Sequence, residues 1–322
     1  PETMMPIGEP VELIYQHHIR YGRERCAENG EGDNPPWIEG PWMTKHEGTY
    51  YLQYAAPATQ FNTYADGVYM GQTPLGPFTY AQSNPMSFQP GGFITGAGHG
   101  STFQDFHGNW WHISTMRISV QAKFERRLGI WPAGFDKDGV MFCNNRFGDF
   151  PMRFPEGKWD DPWTDLSTGW MPLHYKKAVD CSSAQDEHGA ALAVDENIRT
   201  CWAATRDDEE PWFRVDLGSV CQVHALQINF YEHDCFHPVV DGPHQYQVMG
   251  SRDNTTWTLL VDQLDNDRVT PHDYIALDAP GAFRYIKVSI KSMPAGGVAA
   301  LSGLRVFGCG TGERPKATEL TK

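Results

Sequence analysis

No run of this 322-residue sequence approaches the roughly 18 consecutive apolar residues of a membrane-spanning helix, so no such helix is expected. Helical periodicity is nearly missing as well. Basic residues are scarce: 26 Lys and Arg stand against 40 Asp and Glu, a formal net charge of −14. Nucleic acid and anionic membrane both need a Lys/Arg footprint, so neither is expected as a partner, and neutral or cationic ligands suit the chain better. No C-x-x-C pair occurs among the seven cysteines, which argues against a zinc ribbon, and their odd number argues against a dense disulfide framework. One or two bridges are left open. The glycine-rich "GAGHGS" at 96–101 is followed by no G-K-[ST], so it does not read as a phosphate loop.

What the sequence does contain is apolar and aromatic. Forty per cent apolar and 13% aromatic content argue for packed cores, and the length argues for two domains. Short aromatic or β-branched runs (50–55, 67–73, 109–115 and 128–135) alternate with Gly, Pro, Asn and Asp clusters such as "PLGP" at 74–77 and "DKDG" at 136–139. That pattern predicts an all-β domain of short strands. Beyond the connector "FPEGKWDDPWTDLSTGWMPLHY" the alternation becomes cleaner. Phe213, Val215 and Leu217 share one face, as do Leu226, Ile228 and Phe230, and Ile286, Val288 and Ile290. Half-buried strands of a β-sandwich read this way. The reading is a first domain over 1–172, a sandwich over 173–310 and a frayed polar tail over 311–322.

"IEGPWMTKHEGTYYLQYA" (38–55), "YADGVYMGQTPLGPFTYA" (64–81), "GAGHGSTFQDFHGNWWHIS" (96–114) and "FERRLGIWPAGFDKDG" (124–139) follow one another in the first half. Together they resemble glycoside hydrolase family 43, whose fold is a five-bladed β-propeller. "AVDENIRTCWAA", "PWFRVDLGSVCQVHALQINF", "YQVMGSRDNTTW", "FRYIKVSIKS" and "LSGLRVFG" in the second half resemble the discoidin, or coagulation factor 5/8 type C, jelly-roll sandwich shared with carbohydrate-binding module family 32. The expected fold is therefore all-β: a partial propeller of about three blades followed by a discoidin-like sandwich.

The first resemblance carries a role to Glu39, the general acid of the E-G-P motif that protonates the departing glycosidic oxygen. Trp37, Ile38 and Trp42 would supply an apolar wall of the kind that favours a protonated carboxyl. His99 corresponds to the histidine that helps hold an ion, often calcium, on the propeller axis. Arg126 and Arg127, with Arg117 as a third, are candidates for the basic residue near the sugar. Trp42, Tyr64, Trp110 and Trp111 offer faces on which a sugar ring stacks. In the second half, Asp195 and Thr200 match oxygen ligands of a structural calcium site, although Gly303 stands where a further carboxylate is expected. The dense loop "YEHDCFHPVVDGPH" (231–244) reads as a polar loop at the sandwich rim, with His237 and His244 as candidate ligand contacts.

The resemblance implies a glycoside hydrolase cleaving O-glycosyl bonds of plant-type polysaccharide or oligosaccharide with inversion, of the α-L-arabinofuranosidase or β-xylosidase type. It carries an appended carbohydrate-binding domain and is expected to be secreted or at the cell surface. No oligomeric state is implied. Inversion needs two carboxyl groups about 6.5–9.5 Å apart. The family's base Asp and a second, acid-tuning Asp precede the E-G-P motif by far more than the 38 residues before Glu39, and the sequence starts at Pro1 in what reads as mid-blade. The expectation is a piece of a longer enzyme, inactive by itself. The alternative is a non-catalytic glycan-binding protein.

Overall fold

The computed structural model describes residues 5–6, 8–17, 20–118, 126–232 and 242–310. The chain divides into two compact units, one running to Leu166 and the other from Ser167 onward. Among the described residues no helix is long and apolar enough to cross a membrane. Cys26, Cys143, Cys181, Cys201, Cys221 and Cys309 are all free thiols; Cys235 lies outside the described residues.

The first unit holds two four-stranded antiparallel sheets, each laid down in chain order as a propeller blade is. One comprises β1 (Glu39–His46), β2 (Thr49–Ala56), β3 (Ala65–Gly71) and β4 (Phe78–Tyr80). The other comprises β5 (Thr95–Gln104), β6 (Trp110–Arg117), β7 (Arg126–Phe135) and β8 (Met141–Cys143). The turns form for local reasons. Glu47 and Gly48 both adopt positive φ and close the β1–β2 hairpin. Asp136 Oδ1 accepts the N–H groups of Asp138 and Val140 and closes the β7–β8 turn.

About three blades were expected, and the described residues supply two. Among the described residues before Glu39, where Pro10, Pro35 and Pro36 interrupt the chain, the regular elements are short 3₁₀ turns at Gly22–Glu24 and Glu28–Gly30. It is nevertheless anchored. Glu24 is fully buried and accepts hydrogen bonds from the Tyr54 hydroxyl and the His17 N–H.

The second unit is the sandwich. Its strands are β9 (Met171–Pro172), β10 (Ala178–Cys181), β11 (Trp202–Ala203), β12 (Trp212–Phe230), β13 (Gln245–Ser251), β14 (Trp257–Asp262), β15 (His272–Ser292) and β16 (Ala300–Gly310). Because β9 pairs with β16, the sandwich includes chain ahead of residue 173. The long β12 breaks register between Asp216 and Cys221, with Gly218 at φ 86°, so its first half pairs within one layer and its second half within the other. The alternating residues read from the sequence meet in the core: Phe213, Val215 and Leu217 of the first half pack with Leu226, Ile228 and Phe230 of the second and with Ile286, Val288 and Ile290. The connecting chain before Trp212, after Asp262 and after Ser292 gathers at one end.

Candidate active site

Glu39 opens β1, and the strand register slips between it and Trp42, where Gly40 takes φ 60°. Only a residue that tolerates positive φ makes that bulge, and the bulge aims the Glu39 side chain off the regular pleat. The carboxyl is partly exposed, at 42% for the side chain. Its Oε1 accepts a hydrogen bond from the Tyr64 hydroxyl at 2.7 Å, and His99 Nδ1 lies 3.8 Å from the same oxygen.

The glycines of "GAGHGS" are sockets for rings. A Cβ at Gly98 would stand 2.7 Å from the Tyr64 ring, and one at Gly100 would run into His112 and Asp66. On the facing strand, a Cβ at Gly40 would stand 2.8 Å from the His99 ring. His99 itself sits at φ 58° and Ala97 at φ 104°, conformations that L-residues adopt only when their surroundings impose them.

The expected apolar wall around Glu39 is not assembled. Trp37 is 72% exposed and Ile38 packs into a separate aromatic cluster under β2. Trp42 is anchored through its indole N–H, which donates to the Thr102 carbonyl at 2.9 Å, and keeps part of its ring in solvent. Tyr64 differs most from expectation. It is 1% exposed, so it offers Glu39 a hydroxyl rather than a sugar a ring face. Burial pushes its phenol pKa well up, and so do the hydrogen bond to Glu39 and the charges of Glu39 and Asp66, with Arg126 pulling the other way. Arg127 donates instead to the Arg126 carbonyl, and Arg117 is turned away, bound to Glu28 Oε1 at 3.2 Å and to the Gln60 carbonyl. Trp111 belongs to the core, and Trp110 packs on Phe135 and His46.

Sequence reasoning missed what lies underneath. Asp66 and His112, both fully buried, are joined through His112 Nε2 and Asp66 Oδ2 at 2.9 Å. The same Oδ2 accepts the Gly100 N–H at 3.0 Å. On the other side of the ring, Thr102 Oγ1 lies 3.0 Å and Gln53 Nε2 3.4 Å from Nδ1. With those groups donating to Nδ1, the imidazole hydrogen sits on Nε2 and is given to Asp66. Asp66 Oδ1 is buried with no hydrogen-bond partner among the described residues. The sequence signal was faint: Asp66 is the one charged residue in the otherwise apolar β3, while His112 shares β6 with Ser114, Thr115 and Arg117.

In the sandwich, Asp195 and Thr200 do meet, but as donor and acceptor. The Thr200 hydroxyl gives its hydrogen to Asp195 Oδ2 at 2.7 Å, and Asp195 Oδ1 accepts the Asn197 N–H. Burial raises the Asp195 carboxyl pKa despite those bonds. The neighbouring carboxylate is spent: Glu196 takes both arms of the Arg305 guanidinium at 2.8 Å each and His174 Nε2 at 2.6 Å. Calcium takes six to eight oxygens, roughly, and no described group of three or more His, Cys, Asp or Glu side chains is placed to hold a metal. The last strand, which has Gly303 where a further carboxylate was expected, brings Arg305 to the carboxylate beside Asp195. His99 turns its Nδ1 toward Glu39 Oε1 at 3.8 Å.

At the loop end of the sandwich a cleft of about 190 Å³ is lined by Arg206, Asp208, Glu209, Lys291 and Ser292 among others. Against the upward push of burial, hydrogen bonds from the Ser182 and Ser183 hydroxyls hold the Asp208 carboxyl low. His244 is no part of an open site: it is fully buried, and its Nδ1 accepts the Thr270 N–H. His237 lies outside the described residues.

Comparison with known proteins follows the same division. Residues 3–141 match the family model of glycosyl hydrolases family 43, and residues 178–302 match that of the F5/8 type C domain. The two matches are successive along the chain, and neither spans half of it. Among solved structures, a glycoside hydrolase is 21% identical over 85% of this chain and 60% of its own, with a TM-score of 0.46. The present chain therefore spans about three fifths of that protein's length. Chitosan-binding module 1 of a chitosanase/glucanase from Paenibacillus sp. IK-5 is 21% identical over 43% of this chain and 99% of the module, with a TM-score of 0.37. The family 32 carbohydrate-binding module of Clostridium perfringens NanJ, solved with galactose, is 20% identical over 43% and 97%, with a TM-score of 0.36. No curated protein matches the chain.

Proposed function

We propose that this chain is part of a glycoside hydrolase in which Glu39 is the general acid, acting with inversion on α-L-arabinofuranosides or β-D-xylosides outside the cell, while the sandwich holds the oligosaccharide or polysaccharide. The observation that carries this reading is the placement of Glu39: a partly exposed carboxyl, set off the pleat by a bulge and held by the Tyr64 hydroxyl in a region that matches family 43. A proton donor needs one oxygen fixed and the other open to the leaving group, and here only Oε1 is engaged by Tyr64 and His99.

Asp66, the other carboxyl of this site, is fully buried and cannot reach a water on the far face of a sugar. The base of an inverting pair is therefore taken to come from outside these 322 residues. That same observation favours the second reading, a glycan-binding protein without turnover. Hydrolysis of aryl arabinofuranosides and xylosides by the chain, and by the longest protein that contains it, separates the two. The enzyme reading expects turnover in the longer protein that Glu39→Gln lowers by at least about a hundredfold. Turnover unaffected by Glu39→Gln overturns the role of Glu39, and turnover in the 322-residue chain itself overturns the external base.

A further inference from the structure

We propose that the buried Asp66–His112 pair is a positioning device for the Glu39 site, holding Tyr64 and His99 against the same carboxyl oxygen; its catalytic meaning rests on the reading of Glu39 as the acid. Asp66 stands two residues beyond Tyr64, and its Oδ2 accepts the N–H of Gly100, the residue after His99. One carboxylate oxygen thereby ties β3, which begins directly after Tyr64, to β5, which carries His99.

That second strand needs tying. Gly96, Ala97 and His99 all have positive φ, and the ladder to β6 slips twice between Gly96 and Ser101. Regular sheet pairing does not hold this stretch, so specific bonds must. Among the described residues, Gln89 exchanges two backbone hydrogen bonds with Gly96 at its start, Ser87 Oγ donates to the Ala97 carbonyl at 2.8 Å, and beyond His99 Asp66 accepts the Gly100 N–H. His112 in turn keeps Asp66 aimed, backed by Thr102 and Gln53.

Stability alone gives a poor reason for the arrangement. Among the described residues Asp66 Oδ1 and Gln53 Oε1 are buried without hydrogen-bond partners, and an apolar pair of similar shape would fill the same space without stranding either the acid or the imidazole. An acid retained there at a cost to stability is explained by what its oxygen holds in place.

The test compares Asp66→Asn, which keeps an acceptor for Gly100 and His112, with the double variant Asp66→Val/His112→Leu, which removes both polar partners. The first readout is amide hydrogen exchange at Gly100. The second is the NMR cross-peaks from the His99 ring to Gly40 Hα and from the Tyr64 ring to Gly98 Hα, none of which requires turnover. In the double variant the Gly100 amide is expected to exchange about ten- to a hundredfold faster, with the His99 cross-peak lost and the melting temperature kept or raised. Asp66→Asn is expected to restore both readouts. In the longer, active protein the double variant should lower kcat with KM unchanged, and Asp66→Asn should recover it.

A folded double variant with Gly100 as protected as in the parent and His99 unmoved overturns the proposal. So does protection lost evenly across both sheets, which would mark a merely structural role. Should the double variant not fold, His112→Leu alone decides, because an Asp66 freed to turn must also release Gly100. If Glu39→Gln leaves turnover intact, the acid reading falls, while the exchange data still judge whether Asp66 sets His99.

Discussion

A single hydroxyl carries much of the candidate site. Tyr64 is buried to 1% exposure, its ring seated over Gly98, and its O–H is aimed at Glu39 Oε1. Tyr64→Phe keeps the ring and removes only the donor. A hydrogen bond to a charged acceptor is worth about 1.5–3 kcal/mol, so the substitution should lower kcat about ten- to a hundredfold in the active protein. The melting temperature should change little, because Glu39 is open to water and can be resolvated. Turnover kinetics and a thermal scan on the same preparation check this; an unchanged kcat would show that Glu39 is placed by the bulge alone.

At the scale of elements, the sandwich is pinned by charge where an ion was expected. The turn carrying Asp195 and Glu196 is joined to β16 through Arg305, which is 1% exposed and also bonds Gln227, and to the chain after β9 through His174. His174 Nδ1 accepts the Val306 N–H, so its Nε2 carries the hydrogen given to Glu196. Burial pushes the Glu196 carboxyl up, but the His174 hydrogen bond and the Arg305 charge outweigh it and hold the pKa down to about 2. A carboxyl depressed in the folded state contributes stability that is fully present above its ordinary value of 4.5 and is lost as pH falls toward 2. Urea unfolding between those limits should show a loss of the order of 2–3 kcal/mol that Glu196→Gln abolishes. Chelator should leave the same transition in place at neutral pH, since Asp195 and Thr200 are already satisfied by each other. A melting temperature that rises with added calcium would contradict this reading.

For the molecule as a whole, two cores imply two foldable bodies. The sandwich packs Trp202, Phe213, Val215, Leu226, Ile228, Tyr246, Ile286, Val288, Leu304 and Val306 into one buried cluster. Residues 167–310 are therefore expected to unfold in one cooperative transition when produced alone, followed by near-ultraviolet circular dichroism, and to retain any affinity for arabinoxylan or galactose oligosaccharides that the full chain shows. Loss of that affinity on excision would mean that the sugar site needs the first unit.

Much of this was legible along the chain. Alternation of period two with turn residues between the runs is a local property, so the strands at 49–56, 126–135, 212–217 and 221–230 and the turns at Gly48 and Asp136 could be read directly. The E-G-P motif marked Glu39 as well, but the bulge that sets its side chain off the pleat was not read from it. Tertiary structure alone decided that Tyr64 presents its hydroxyl and not its ring, that Arg117 serves Glu28, and that Asp66 finds His112 46 residues away. It likewise decided that Arg305 crosses 109 residues to take the carboxylate beside Asp195. Spacing along a strand dictates which face a side chain occupies. Which partner waits on that face depends on how sheets stack, and no local pattern records that.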